Sequence, residues 1–155
     1  MKISLLTESQ RETMLGFIIQ HNQDGEHHVG FFGLGENEIR ETLAEFIPPL
    51  EESFLLAWEG EALVGLFGAD YDLEIDRAWL YGPLVASPNW HETADALYAA
   101  LQDIIPSAIH EQELFFDIRN QRGQEFAARH AFPPRSDNAV LRSEEHTSEL
   151  QSRQV

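Results

Sequence analysis

Four runs, RAWLYGPLVASPNW (77–90), HETADALYAALQDII (91–105), ELFFDIR (113–119) and NQRGQEFAARHAF (120–132), decide the fold. The first is apolar until a polar turn, the second carries apolar residues at helical spacing, and the pair then repeats, so the order is strand, helix, strand, helix. Such a unit closes a right-handed crossover and makes a mixed α/β sheet. A strand feeding a helix also leaves several backbone N–H groups unpaired at the helix start, backed by the helix dipole, where an anion such as a pyrophosphate can sit. Scaffold and anion cradle are both consistent with this stretch alone. Inside the first strand stand Gly82 and Pro83. Proline has no N–H and glycine marks a bulge or close approach, so the strand is expected to part from a neighbour there.

Local signals complete this half of the chain. Asn89 and Glu92 are spaced as a capping pair, and the helix they open is expected to bury Ala94, Leu97, Tyr98, Leu101 and Ile105. ELFFDI is nearly continuous in apolar residues, the pattern of a strand buried on both faces. Asn120 can cap the next helix, whose apolar positions are Phe126, Ala127 and Phe132, and Pro133-Pro134 stops it.

Upstream, Ile3, Leu5 and Leu6 make a first strand, and Thr7 with Gln10 has the form of a capping box. Met14, Leu15, Ile18 and Ile19 form the buried stripe of the helix that follows. His21, Asp24, Glu26, His27 and His28 are possible metal ligands, but their spacing matches no helical ligand motif and no metal is assigned. Gly30, Gly33 and Gly35 form a loop without the Lys-Ser/Thr of a phosphate loop. A second helix is expected over about 36–47, burying Ile39, Leu43, Phe46 and Ile47. SFLLAW and ALVGLFGA, joined through Gly60, predict a hairpin, and YDLEIDR turns the chain into the strand at 77.

Composition bounds the function. The chain has 155 residues, 43% of them hydrophobic, which suits one folded domain. No run approaches the roughly 18 apolar residues of a membrane span, and MKISLLTESQ turns polar too early for a signal peptide, so a soluble cytoplasmic protein is expected. The absence of cysteine excludes disulfides and thiol nucleophiles. A net charge of −17, with ten basic residues, argues against nucleic acid and for a cationic or amine-bearing partner. A salt-rich cytoplasm would select the same acidity.

The order β-α-α-β-β-β-α-β-α, with Leu84-Val85-Ala86, Ala94-Asp95-Ala96-Leu97 and Asn120 through Ala131-Phe132, resembles the GCN5-related N-acetyltransferases (GNAT) over about residues 2–141. The resemblance implies a mixed, mostly antiparallel sheet flanked by helices, whose fourth strand splays from the fifth to admit acyl-CoA. It implies that Leu84, Val85 and Ala86 pair with pantetheine, that the backbone at His91, Glu92, Thr93 and Ala94 holds pyrophosphate, and that Asn120 and Phe126 border the cofactor. The family's pyrophosphate loop departs here, with Asn89 in place of its Arg or Gln and Glu92 in place of its first glycine. Its tyrosine acid on the last helix falls on Ala127, and the glycine of its Gly-Phe pair on Ala131.

An acceptor ammonium must lose a proton before it attacks a thioester. Glu74, Asp76 and Tyr81 are the candidates by placement for that step, and an oxyanion could be held by a strand N–H. The function implied is acyl transfer from acetyl-CoA, as co-substrate, to a small amine. The alternative is a non-catalytic GNAT-like domain, structural or ligand-sensing, that partners a missing C-terminal catalytic domain; a second GNAT domain or a homodimer is the protein partner expected. From Arg142, RSEEHTSELQS resembles the in-frame translation of a sequencing adapter, so residues 1–141 are expected to form the domain and 142–155 a non-native tail. That segment holds three acids and two arginines, so the acidity does not depend on it.

Overall fold

The computed structural model describes residues 1–133 and the backbone of residues 140–144. Six strands, β1 (Lys2–Leu5), β2 (Phe54–Glu59), β3 (Ala62–Asp72), β4 (Arg77–Val85), β5 (Glu111–Phe115) and β6 (Val140–Glu144), lie in one sheet in chain order. Every neighbouring pair is antiparallel except β4 and β5, which are parallel. That one parallel pair needs a crossover, supplied by helix α3 (Trp90–Ile104). The mixed, mostly antiparallel sheet is the architecture expected. The expected boundary between Leu141 and Arg142 falls inside β6, and the tail beyond Glu144, like Pro134, lies outside the described residues.

Helices cover both faces. On one lie α1 (Arg11–Asn22), α2 (Glu36–Ala44) and the single turn Gly30–Phe32; on the other lie α3 and α4 (Gln121–Arg129). Aromatic contacts show which strand residues face which layer. Tyr81 meets Phe32 and Phe46 at ring-centroid distances of 5.2 and 4.7 Å, and Phe46 stacks on Phe54 at 5.4 Å. Phe67, in contrast, meets Tyr98 of α3 at 5.9 Å and Phe126 of α4 at 5.7 Å. Met14, Ile18, Ile39, Phe54, Phe67 and Phe126 are fully buried, and burying each such side chain contributes about 1.5–3 kcal/mol before entropy is counted.

Several local expectations need correction. Helix α2 stops at Ala44, short of 47, so Phe46 is only half buried and Ile47 is 61% exposed. Strand β3 runs on to Asp72, and the turn into β4 shrinks to residues 73–76. Strand β5 is not buried on both faces: Gln112 and Leu114 are covered by α3 and α4, while Glu111, Glu113 and Phe115 on the other face are half exposed. The capping box of Thr7 and Gln10 forms as expected, with Gln10 Oε1 accepting from the Thr7 N–H at 3.0 Å.

Buried Asn22 was not singled out by sequence, yet it ties the α1–α2 loop together. Its Oδ1 accepts from Val29 N at 2.7 Å, and its Nδ2 donates to the carbonyls of Val29 and Gly33 at 3.2 and 2.7 Å. This places Phe31 and Phe32 over β4.

Candidate active site

The sheet opens between β4 and β5. Their pairing covers only Arg77–Trp79 against Glu111–Glu113. Beyond it, Leu66 pairs with Leu84 and Gly68 with Tyr81, so Gly82 and Pro83 together oppose Phe67 alone. This two-against-one bulge bends β4. Gly82 sits at φ 140°, and a Cβ there would lie 3.0 Å from the Leu66 carbonyl oxygen and 3.2 Å from Phe67 Cα. Only glycine makes this corner. The Ala86 N–H bonds the Val64 carbonyl at 2.8 Å, so by antiparallel alternation the N–H and C=O of Val85 turn the other way, into the opening. Leu84 and Val85 are buried as whole residues, and the chain comes to the surface at Ala86.

The opening leads to the start of α3. Thr93 N donates to the Asn89 carbonyl at 3.0 Å, while Ser87 Oγ accepts from Asn89 N and no side chain caps the helix. The expected capping by Asn89 and Glu92 is therefore absent, because the Asn89 side chain makes no such bond. The free donors among the described residues are Trp90, His91 and Glu92, one step earlier than expected. Thr93 is already bonded, Ala94 lies further inside the helix, and both are buried. The Glu92 side chain is exposed.

Helix α4 brings a cation to this place. Arg129 donates to His91 Nδ1 at 3.0 Å and to Asp95, while His91 Nε2 meets Glu125 at 2.9 Å and His130 Nε2 meets Asp95 at 2.8 Å. A guanidinium can only donate, so His91 Nδ1 accepts and its proton is on Nε2, toward Glu125. Burial pushes the Asp95 carboxyl up, but hydrogen bonds from His130 and Arg129 outweigh it and hold the group below its ordinary value. Arg129 thus stands by α3 where Asn89 offers no charge.

Asn120 and Phe126 are not presented at the cleft. Asn120 Oδ1 accepts from Gly123 N at 2.9 Å and its Nδ2 donates to the His28 carbonyl at 3.2 Å, so it caps α4 and straps the α1–α2 loop. Phe126 is core, packed on Phe67 and Tyr98. Ala127 is fully buried and offers no acid.

Glu74 and Asp76 are not brought there either. Both stand in the turn before β4, Glu74 exposed and Asp76 accepting from the backbone N (2.6 Å) of His110 and facing its Nδ1 (2.9 Å). Asp76 lies six residues before the Gly82-Pro83 bulge, about 20 Å along the strand, whereas the row of Asp70 and Trp79 lies three residues before it, about 10 Å. Tyr81 stands on β4 immediately before the Gly82-Pro83 bulge. Its ring is packed among Phe31, Phe32 and Phe46, and its hydroxyl has no hydrogen-bond partner among the described residues. Burial first, then the charges of Asp70 and Glu45, push the phenol far above its ordinary value, so it stays neutral.

Strand register adds residues that sequence reading missed. On the face that carries Tyr81, three rows cross β3, β4 and β5: Asp72, Arg77 and Glu111; Asp70, Trp79 and Glu113; then Gly68, Tyr81 and, in line on β5, Phe115. Phe31 closes the last row, 5.5 Å from both Tyr81 and Phe115. Asp70 accepts from Ile47 N at 2.9 Å, and burial nonetheless pushes its carboxyl above the ordinary value. The period-two spacing of Asp70 with Asp72 and of Glu111 with Glu113 was the available signal. Among the described residues, no group of three or more His, Asp or Glu could hold a metal ion.

A separate cavity of about 360 Å³ lies between α1, α2 and residues 48–50. Its arginines are matched by acids, Arg11 by Glu51 and Arg40 by Glu36 and Glu12.

No protein-family model and no curated protein matches the sequence. Solved structures do match the fold. A GNAT-family acetyltransferase from Staphylococcus aureus superposes with a TM-score of 0.65 at 15% identity, covering 93% of this chain and 98% of that one. The paia N-acetyltransferase of Thermoplasma acidophilum, solved with coenzyme A, gives 0.61 at 18% identity, covering 92% and 98%. N-acetylglutamate synthase from Neisseria gonorrhoeae, complexed with coenzyme A and N-acetyl-glutamate, gives 0.66 at 15%, covering 94% of this chain and 35% of that one. The chain has the fold of the GNAT acetyltransferases. No helix in the described residues is long and apolar enough to cross a membrane.

Proposed function

We propose that this protein is an acyl-CoA-dependent N-acetyltransferase acting on a small amine. The observation that carries the reading is the parting of β4 from β5 at the Gly82-Pro83 bulge, which leaves Val85 backbone groups facing an opening that runs to the uncapped start of α3. The Val85 backbone would pair with the pantetheine amides. The N–H groups of Trp90, His91 and Glu92, with Arg129 beside them, would hold the diphosphate.

Acetyl-CoA would supply a thioester carbon open to a neutral amine; an amide forms as the carbon–sulfur bond breaks, and CoA thiol and one proton are the other products. Asp70, on the acceptor face diagonal to Tyr81, takes the role assigned by sequence to Glu74 or Asp76: its carboxylate accepts the ammonium proton. Tyr81 stays protonated and donates a hydrogen bond at the acceptor. Ala127 supplies no acid, but a thiol of ordinary pKa, about 8.5, leaves as thiolate with little help near neutral pH.

Ala127, together with the exposed Glu92 carboxylate where phosphate would sit, favours a second reading: a non-catalytic domain that binds a ligand or supports a partner. Calorimetry with acetyl-CoA, followed by thiol release with an amine panel, separates the two. Saturable binding and amine-dependent thiol release support the transferase. Binding without release for any amine supports the second reading, and absence of binding by the folded protein rejects the CoA site.

A further inference from the structure

The cavity between α1 and α2 stands apart from the cleft, for no residue of β3, β4, β5, α3 or α4 lines it. Its floor is apolar: Met14, Leu15 and Leu43 are buried there, and Phe46 and Leu50 are half buried. Its mouth is charged, with Arg11, Glu12 and Arg40 all exposed. At about 360 Å³ it falls at the small end of ligand cavities, roughly 300–1,000 Å³. The two arginines are held differently. Arg11 is committed to Glu51, its Nη2 donating to Oε1 at 2.7 Å. Arg40 Nε donates to Glu36 of its own helix at 2.9 Å, which fixes the guanidinium, while Nη2 reaches across the mouth to Glu12 Oε1 of α1 at 3.3 Å. That contact is long for a charge-assisted bond and lies in water, so opening it costs little. It is the only hydrogen bond of the Glu12 side chain among the described residues.

We propose that this cavity binds a free α-amino acid with an apolar side chain. A zwitterion matches the mouth in both signs. Its carboxylate accepts from Arg40 Nη2 and its ammonium donates to Glu12, so one long contact gives way to two charge-assisted bonds. The side chain enters the floor formed by Met14, Leu15, Leu43, Phe46 and Leu50, where leaving water is favourable. A ligand with one charge opens the same contact and satisfies only one side of it. A bare carboxylate also meets three acids, Glu12, Glu36 and Glu51, about the two arginines. The amino acid is a second ligand rather than the acceptor, because nothing on β4 lines the cavity.

The test is calorimetry on the full chain without acetyl-CoA, with four probes: L-leucine; 4-methylpentanoate, which lacks the ammonium; 3-methylbutylamine, which lacks the carboxylate; and glycine, which lacks the side chain. Leucine should bind saturably, each singly charged analogue about tenfold or more weakly, and glycine more weakly still. Glu12→Gln should weaken leucine about tenfold while leaving 4-methylpentanoate within about twofold, and Arg40→Gln should weaken leucine while sparing 3-methylbutylamine. Ala44 lines the cavity yet is exposed, so Ala44→Phe fills the space without disturbing the core. It should abolish leucine binding at an unchanged melting temperature. Three results overturn the proposal: no saturable leucine binding, an analogue that binds as tightly as leucine, or leucine binding that survives Ala44→Phe. Acetyl-CoA takes no part, so either outcome is independent of the transferase activity.

Discussion

At Asp70 and Glu92, function and stability pull in opposite directions. Burial raises the Asp70 pKa above its unfolded value, so the fold disfavours the ionised form. The sign follows: stability associated with this group is greatest at low pH and declines as pH rises through the carboxylate range. Asp70→Asn should therefore raise the melting temperature at pH 7 while lowering kcat about a hundredfold, with acetyl-CoA affinity unchanged. Unchanged kcat would remove Asp70 from the base role. For the native protein, the acid limb of the rate profile should lie above the ordinary aspartate value of about 3.9. Glu92 shows the converse. In the first turn of α3 its carboxylate favours the helix dipole, by about 0.3–1 kcal/mol, but it faces any phosphate brought to the same N–H groups. Glu92→Gln is expected to tighten acetyl-CoA binding several-fold in calorimetry and to lower the melting temperature slightly.

Among the elements, β4 has the most demanding construction. Gly82→Ala adds a methyl 3.0 Å from a backbone oxygen, at a positive φ that side chains rarely adopt. A destabilisation of about 1–3 kcal/mol is expected, seen as a loss of several degrees in melting temperature, with acetyl-CoA affinity falling because the bulge relaxes. The sequence announced this corner plainly, since Gly and Pro together inside an apolar strand have few other uses. It also carried the order of strands and helices, because apolar periodicity and turn residues are local. The acceptor face was not legible in the same way. Which residues of β3, β4 and β5 stand side by side depends on register, and register is a long-range property. Glu74 and Asp76 are close to β4 in sequence but at the wrong end of it, while Asp70, Trp79 and Glu113 come from three separate strands. Asn120 was legible as a residue and not as a role, because capping α4 and bordering a cofactor ask for the same side chain.

Over the whole molecule, net charge of −17 governs how solution conditions act. Self-repulsion destabilises the compact state and is screened by salt, so melting temperature should rise between 20 and 500 mM sodium chloride, and the association rate of anionic acetyl-CoA should rise with it. A CoA site on a basic protein shows the opposite slope, which is the result that would contradict this. Acid has its own effect. Asp117 is held well below the carboxylate range by its hydrogen bond from the Arg119 side chain and by the Arg119 N–H, and Glu51 is lowered by Arg11. Their folded pKa values are depressed, so their stabilisation is complete above about pH 4 and is lost as pH falls further; Asp117→Asn should weaken the protein at pH 7 and flatten that decline in a denaturant titration series. The opened strand has a consequence for life in a crowded cell as well. Unpaired backbone inside a sheet is a template on which a stray segment of another chain could dock, the first step toward aggregation. Pro83 contributes no N–H to either side of β4, and the bulge breaks the even repeat that an incoming strand would need. On the proposed reading the notch would take a thin flexible molecule while refusing a polypeptide, and replacing Gly82-Pro83 by residues that pair regularly would turn it into a sticky seam.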